Sequence, residues 1–356
     1  MALSDFIILI IPSLVILGCN FIPLLFPQIS RLVYKYFYPK KYVVPKLTAY
    51  DYPLPPYPNT WYPVCLSSSI RENEHVAHKI TGRELVFFRG TNGRVQAVPK
   101  NCPHMGVDLE YGYVEHNCMV CPMHCKHVRP DPADNIFVEE TNNIIFIWYG
   151  ESPPITISEL FSQNQMESIT ILPYGHLSHR VGGHLVDYAE HLLDIHHAPY
   201  IHGVHITPIE NGVRTTQYSF TTQFHIEKSD NNPIFTYVTP TFGNIQYAVD
   251  VNVCIMFIVH DIGDIEMVIM PCWINGFSLA KVGYSIIAAL YTFVDFLDEA
   301  AYFSTKNHHV RNMKDSESPM VEFREWFHST FYTRKQWEKF TLGREKYKQI
   351  QKLNDW

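Results

Sequence analysis

Between Cys102 and Cys125 the chain reads CPHMGVDLEYGYVEHNCMVCPMHC, which places four of its eight cysteines and three histidines in 24 residues. Thiolates and imidazoles at this density are candidate metal ligands, and they fall into two short motifs: Cys102-x-His104 and, sixteen residues later, Cys121-x-x-His124. By ligand type alone, zinc fits as well as iron. Spacing separates them. A C2H2 zinc finger takes both cysteines from a hairpin and both histidines from a helix, whereas here each motif supplies one of each. Two β loops of that composition suit a binuclear [2Fe–2S] cluster, one iron on Cys102 and Cys121 and the other on His104 and His124.

The surrounding sequence supports a small antiparallel β domain over 61–155. Its apolar runs are short and β-rich (ELVFFRG, VQAVP, NIFVEE, NIIFIWYG), separated by TNG, DPADN and TNN turns. Seven prolines between Tyr38 and Pro63 argue against helix or central strand, so 38–60 is expected to be an extended linker. Ahead of it, Phe6 to Phe26 is 21 residues without a charge, long enough to cross a bilayer. No basic residue precedes the run and no A-x-A-like site follows it, so 1–37 is expected to be an uncleaved membrane anchor, either spanning or interfacial. Arg31, Lys35, Lys40 and Lys41 follow the run and only Asp5 precedes it, which puts the rest of the chain in the cytosol, at the endoplasmic reticulum in a eukaryote. Cysteines there stay reduced and free for metal.

A second cluster lies downstream, six histidines from His184 to His205 within 22 residues. HLVDYAEHLLDIHHAPYIHG carries apolar residues at helical spacing and is expected to be a helix ending near Ala198, before Pro199. TTQYSFTTQFHIE, PIFTYVTPTFGNIQYAVDVNVCIMFIVH, IEMVIMPCWI and SIIAALYTFVDF read as strands, followed by a helical stretch from about Leu297. The strands NVCIMFIVH and IEMVIMPCWI are apolar enough for core or for the wall of a greasy pocket. The expected second domain, 156–340, is therefore α+β, a curved antiparallel sheet with helices gathered at its ends, and 341–356 is a charged tail. A histidine-rich amphipathic helix with capping and core roles would explain any one of these histidines by itself. Charge narrows the partners: the net charge is -7 and the pI near 6.2, with no basic patch interleaved with aromatics, which gives no footprint for nucleic acid.

The segment NCPHMGVDLEYGYVEHNCMVCPMH resembles a Rieske centre nearly throughout, including the proline after each ligand cysteine. It departs at Cys125 and Lys126, where that family usually has a glycine and then an aromatic residue. His116, Cys118 and Cys125 are expected to be bystanders. Asp194, His197 and His202 stand in the D-x2-H-x4-H spacing of Rieske non-haem iron oxygenases. That resemblance implies a helix-grip-like catalytic domain whose mononuclear Fe(2+) is held by His197, His202 and a downstream carboxylate. FREWFHSTFY, from Phe323, sets a register that selects Asp298, with Asp295 in reserve and Asp315 further off. It also implies that Asp194 bridges to a Rieske histidine of a neighbouring subunit, with His191, His196 and His205 outside the ligand set. PPYPNTWYPVC, FREWFHSTFY and the hydrophobic N-terminus are similar to the Neverland-type cholesterol 7-desaturase and 3-ketosteroid 9α-hydroxylase branch. The implied protein is a homotrimeric monooxygenase or desaturase acting on a sterol-like substrate from the membrane. With no dinucleotide glycine fingerprint of its own, it would take electrons from an NAD(P)H-dependent reductase or a ferredoxin. Tetrapyrrole or quaternary-amine oxygenases, and a plain Rieske electron carrier, are the alternative readings.

Overall fold

The computed structural model describes residues 52–151, 153–172, 176–202, 205–226, 234–274, 276, 278–306 and 318–354. The expected anchor (1–37), the first part of the linker and Asp315 lie outside the described residues, as does the side chain of Asp298.

Three small antiparallel sheets form the first domain. Strands β1 (Thr60–Leu66), β9 (Ile144–Tyr149) and β8 (Val138–Thr141) make one; β2 (His75–Ile80), β3 (Arg83–Arg89) and β4 (Val95–Pro99) the second; β5 (Tyr113–Glu115), β6 (Cys118–Val120) and β7 (His127–Val128) the third. In β3 four successive residues, Leu85 to Phe88, are buried, because the β2–β3–β4 sheet is covered on both faces. Side chains alternate across a strand. Leu85 and Phe87 therefore enter the main core of the molecule, while Val86 and Phe88 enter a separate small core with Leu109, Met119, Cys102 and Cys121.

The second domain is α+β, as expected. Its antiparallel sheet runs β10 (Ile169–Ile171), β17 (Asp264–Ile274), β16 (Val253–Asp261), β15 (Ile245–Ala248), β14 (Ile234–Thr239), β13 (Phe220–Ile226), β12 (Ile206–Thr215), with β11 (Leu177–Val181) also paired to β17. Helix α1 (Ile157–Gln163) enters through a Thr156/Glu159 capping box. Most of β16 and β17 is core, and none of the residues of either strand reaches the cavity described below.

Two segments differ from expectation. SIIAALYTFVDF is not a strand but the middle of α4 (Leu279–Thr305). A short run rich in isoleucine and aromatics reads equally as strand or buried helix. Length decides here: Ile286, Leu290 and Val294 form one buried stripe, and Tyr284, Ile287, Ala288, Tyr291, Thr292, Asp295, Phe296 and Glu299 form a second stripe at the same helical spacing. The histidine-rich helix also breaks early. α2 (Leu185–His191) stops at Leu192, and a four-residue helix α3 (Ala198–Ile201) starts where the first was expected to end. Pro199 sits in the first turn of α3, where its missing N–H costs nothing.

Helices α5 (Ser318–Phe331) and α6 (Arg334–Asn354) close the chain, so the expected tail is helical through Asn354. Phe323, Phe327 and Phe331, four residues apart on α5, are all buried, which accounts physically for the phenylalanine spacing in FREWFHSTFY. At about 1.5–3 kcal/mol for each buried side chain, this stripe is a main anchor of α5. The end of the expected linker packs as well: Tyr52, Leu54 and Tyr57 are buried, and the Tyr332 hydroxyl donates to the Pro55 carbonyl at 2.9 Å.

Candidate metal centres

The two loops of the opening stretch fold as near copies. In the first, Gly106 N donates to Cys102 O (2.8 Å) and Cys102 N to Val107 O (2.8 Å). In the second, Cys125 N donates to Cys121 O (3.0 Å) and Cys121 N to Lys126 O (2.9 Å). Each turn needs a left-handed residue after the histidine-bearing segment, and these are Gly106 at φ 73° and Cys125 at φ 51°. Glycine adopts that region without penalty, whereas cysteine bears a steric cost. The departure noted at Cys125 is thus a strained side chain in a turn that keeps its shape.

Between the loops, Cys102 and Cys121 are buried with their thiols within hydrogen-bonding reach, while His104 and His124 are exposed with ring centroids 5.0 Å apart. The backbone N–H of Met123 holds the Cys121 thiol below its usual range, against the opposing effect of burial, with help from Cys102 and the His124 N–H. A buried thiol pair and an exposed imidazole pair fit a cluster with one iron on sulfur and an outer iron on nitrogen. Cys118 stands apart, its Sγ 3.2 Å from His127 Nδ1, and His116 is an exposed left-handed turn residue.

The second centre is assembled from three segments. α2 ends on His191, α3 is flanked by His197 and His202, and α4 brings Glu299; one ligand atom from each lies within 4.8 Å of the others. Glu299 Oε2 is 2.9 Å from His191 Nε2, and Glu299 Oε1 is 2.7 Å from His202 Nε2 and 3.5 Å from His197 Nε2. His197 Nδ1 contacts the backbone carbonyl of Asp194. A carbonyl only accepts, so Nδ1 carries the proton and Nε2 is left with a lone pair. That Nε2 and both Glu299 oxygens are buried without an aligned hydrogen bond, short as the distances are. One donor atom from each of the four residues lies within 4.8 Å of the others, a spacing that a single metal ion could bridge. Burial would push the Glu299 carboxyl up, but the charge of His191 and the close approach of His191, His197 and His202 outweigh it and hold the carboxyl well below its usual range.

Ion pairs to two buried carboxylates fix α2 in place. The Arg324 guanidinium grips Glu190, with Nη2 2.7 Å from Oε2, and Lys306 reaches Asp187 at 2.7 Å. The α5 sequence containing FREW thus supports the metal site from behind, one residue from His191.

The site lines a cavity of about 500 Å³ whose walls are mostly apolar, among them Ile206, Phe224, Phe235, Ile287 and Phe296. Asp194 and Asp295 also border it; Asp295 Oδ2 is 3.7 Å from His202 Nδ1. Tyr237, on the opposite wall, has its hydroxyl pushed up to about 12 by burial and by the charges of Glu299 and Asp295.

The family model for the Rieske [2Fe-2S] domain matches residues 60–129, the span that contains both loops. Residues 60–129 are a Rieske [2Fe-2S] domain. Among curated proteins, the cholesterol 7-desaturase nvd of Drosophila melanogaster is 28% identical over 173 residues, 42% of this chain and 39% of its own length. Chlorophyllide a oxygenase of Oryza sativa subsp. japonica is 30% identical over 163 residues, 40% of this chain and 28% of its own length. The chain therefore spans well under half the length of these relatives. Among solved structures, NdmA of Pseudomonas putida CBB5 aligns with a TM-score of 0.53 at 14% identity, over 76% of this chain and 89% of that one. The quaternary ammonium Rieske monooxygenase CntA aligns with a TM-score of 0.51 at 15% identity, over 77% and 89%. These structures share the fold of this chain.

Of the expected second-centre residues, His197 and His202 come together and Asp194 borders them, while His196 and His205 are exposed. His191, set aside in the sequence, joins the cluster, and among the described residues the carboxylate there is Glu299; the side chain of its neighbour Asp298 lies outside them. The missing signal was the helical period of 279–305. Once α4 is a helix, Asp295 and Glu299 fall one turn apart on the stripe that faces the cavity, beside Thr292 and Phe296.

Proposed function

We propose that this chain is a Rieske-type oxygenase that uses dioxygen and electrons from an NAD(P)H-dependent reductase, directly or through a ferredoxin, to hydroxylate or desaturate a hydrophobic, sterol-like substrate. One observation carries the reading: in a chain with a Rieske domain, three half-buried histidines and a buried carboxylate line a largely apolar cavity. Cys102, His104, Cys121 and His124 would hold the cluster, and His197, His202 and Glu299 the mononuclear iron. Bound there, the two groups would supply one-electron transfer and dioxygen activation respectively.

The protein's own part is positioning. Hydrogen bonding to the Asp194 carbonyl orients His197, and the apolar cavity wall would hold an apolar substrate beside the histidines. Asp194 is partly exposed beside them, which suits a bridge to a histidine of the next subunit in a homotrimer. The cavity volume falls within the roughly 300–1,000 Å³ of pockets that enclose small molecules, and its lining favours a greasy substrate over a charged one. The similarity to cholesterol 7-desaturases from several animals supports the sterol class. A bilayer-dwelling substrate accords with the uncharged Phe6–Phe26 run as a membrane anchor.

The test is expression of the full chain with a reductase, followed by sterol profiling and an iron count. Loss of cholesterol or a ketosteroid to a hydroxylated or dehydrogenated product, with about three irons per chain, is the expected result. Two irons with only a Rieske EPR signal would reduce the protein to an electron carrier. Unchanged sterol pools with about three irons would move the substrate to another class, with a tetrapyrrole first in line given the chlorophyllide a oxygenase similarity.

A further inference from the structure

We infer that His191 is a fourth protein ligand of the mononuclear site, so that the metal is held by three imidazoles and one carboxylate rather than by two imidazoles and one carboxylate. The inference rests on the proposed metal site and goes beyond it in ligand number.

Two roles are open to a histidine whose Nε2 stands 2.9 Å from a carboxylate oxygen: donating a hydrogen bond to a ligand, or being a ligand. The first requires that Glu299 Oε2 receive an aligned N–H. It receives none, although it is buried and His191 Nε2 is within range. A ligand nitrogen of His191 lies within the same 4.8 Å group as those of His197 and His202 and a Glu299 oxygen, so one ion could meet all four.

The ring cannot easily turn away. It packs against His197 with centroids 4.2 Å apart and has Phe296 and Phe303 edge-on at 5.7 and 5.4 Å. Its helix is fixed by the Glu190–Arg324 and Asp187–Lys306 pairs. A carboxamide in its place would be shorter and a weaker donor, so the imidazole changes what the site does. Six-coordinate iron on a facial triad keeps three open positions, whereas a fourth protein donor leaves two. An extra imidazole also favours retention of borderline metals such as Co(II) and Zn(II) over harder ones.

The measurement is Co(II) titration of the full-length protein after the mononuclear metal has been removed, comparing wild type with His191→Asn and His191→Gln. Co(II) absorption reports coordination, and the Rieske visible spectrum reports that each variant is folded. The expected result is a loss of Co(II) affinity of at least about tenfold in both variants, with altered d–d bands and an unchanged Rieske spectrum. Unaltered d–d bands in either folded variant, whatever the affinity, would overturn the fourth ligand while leaving the oxygenase reading intact, because losing a partner that only hydrogen-bonds a ligand also costs about 10–100-fold in affinity. Failure of the wild type to bind Co(II) or Fe(II) at this site at all would instead overturn the reading on which it rests.

Discussion

The two metal centres are built on opposite plans. The Rieske ligands come from two loops within 24 residues, each loop a copy of the other, with its imidazole in solvent. The second centre draws on α2, α3 and α4, spans more than a hundred residues, and hides its carboxylate at 3% exposure. A loop pair tolerates change around it because its hydrogen bonds are local. The helical site depends on packing and on ion pairs that hold each helix in register, so it is the more exposed to distant mutations.

The sharpest break between the two comes from removing one ligand from each. Cys121→Ser should abolish the Rieske EPR and visible signals outright, because a serine hydroxyl does not replace the thiolate that would hold the inner iron. Glu299→Ala should strip the mononuclear metal and leave the Rieske signal whole. Asp298→Asn should retain the metal; equal loss in both variants would mean that the neighbouring aspartate shares or takes the role.

Next in size is a change behind the helical site. Arg324→Met leaves Glu190 buried and only partly compensated by Lys306 at 3.7 Å. Breaking a buried pair costs about 3–5 kcal/mol. Melting should fall by several degrees and the mononuclear metal should bind more weakly. A variant with wild-type Tm would show that α2 needs no such support.

The loop pair offers a smaller effect of opposite sign. Cys125→Gly should relieve the left-handed cysteine and stabilise the cluster loop by about 1 kcal/mol, visible as slower loss of the visible spectrum in chelator. If the spectrum decays faster, the thiol contributes something that its conformation does not show.

The smallest effect concerns pH and the joint between the domains. Asp261 on β16 pairs with Lys79 on β2 and accepts from Tyr57 at 2.8 Å. Partial burial would raise its carboxyl, but Lys79, the Ile262 N–H and Tyr57 together hold it below the usual range. A carboxyl lowered in the folded state adds stability that is complete above its unfolded pKa, near 3.9, and disappears as pH drops through the folded value. Below about pH 4 the wild type should therefore lose Tm more steeply than Asp261→Asn, and parallel curves would remove the joint from the account.

How much of each centre could be read from the sequence follows from the same contrast. Cys102, His104, Cys121 and His124 are legible because local spacing is all that their loops require. His197 and His202 are legible for the same reason, across α3. The places of Glu299 and His191 beside them are not, since these depend on how α4 and α2 rotate about their axes, and α4 hid its period inside a β-like composition. Pro199 misled in a similar way, because a proline that forbids one helix is well suited to begin the next.

The two-faced sheet β2–β3–β4 has a consequence for how the molecule comes apart. Its outer face closes the small core around the cluster cysteines, and its inner face contributes Leu85 and Phe87 to a core that runs without a break through Trp61 and Ile145 to Phe257, Met267 and Phe323. No seam divides the electron-accepting part from the cavity-bearing part. Severing the chain after residue 129 would bare the inner face and discard β9, the partner of β1, together with β8, so the Rieske unit borrows its solvent shield from the chain that follows it.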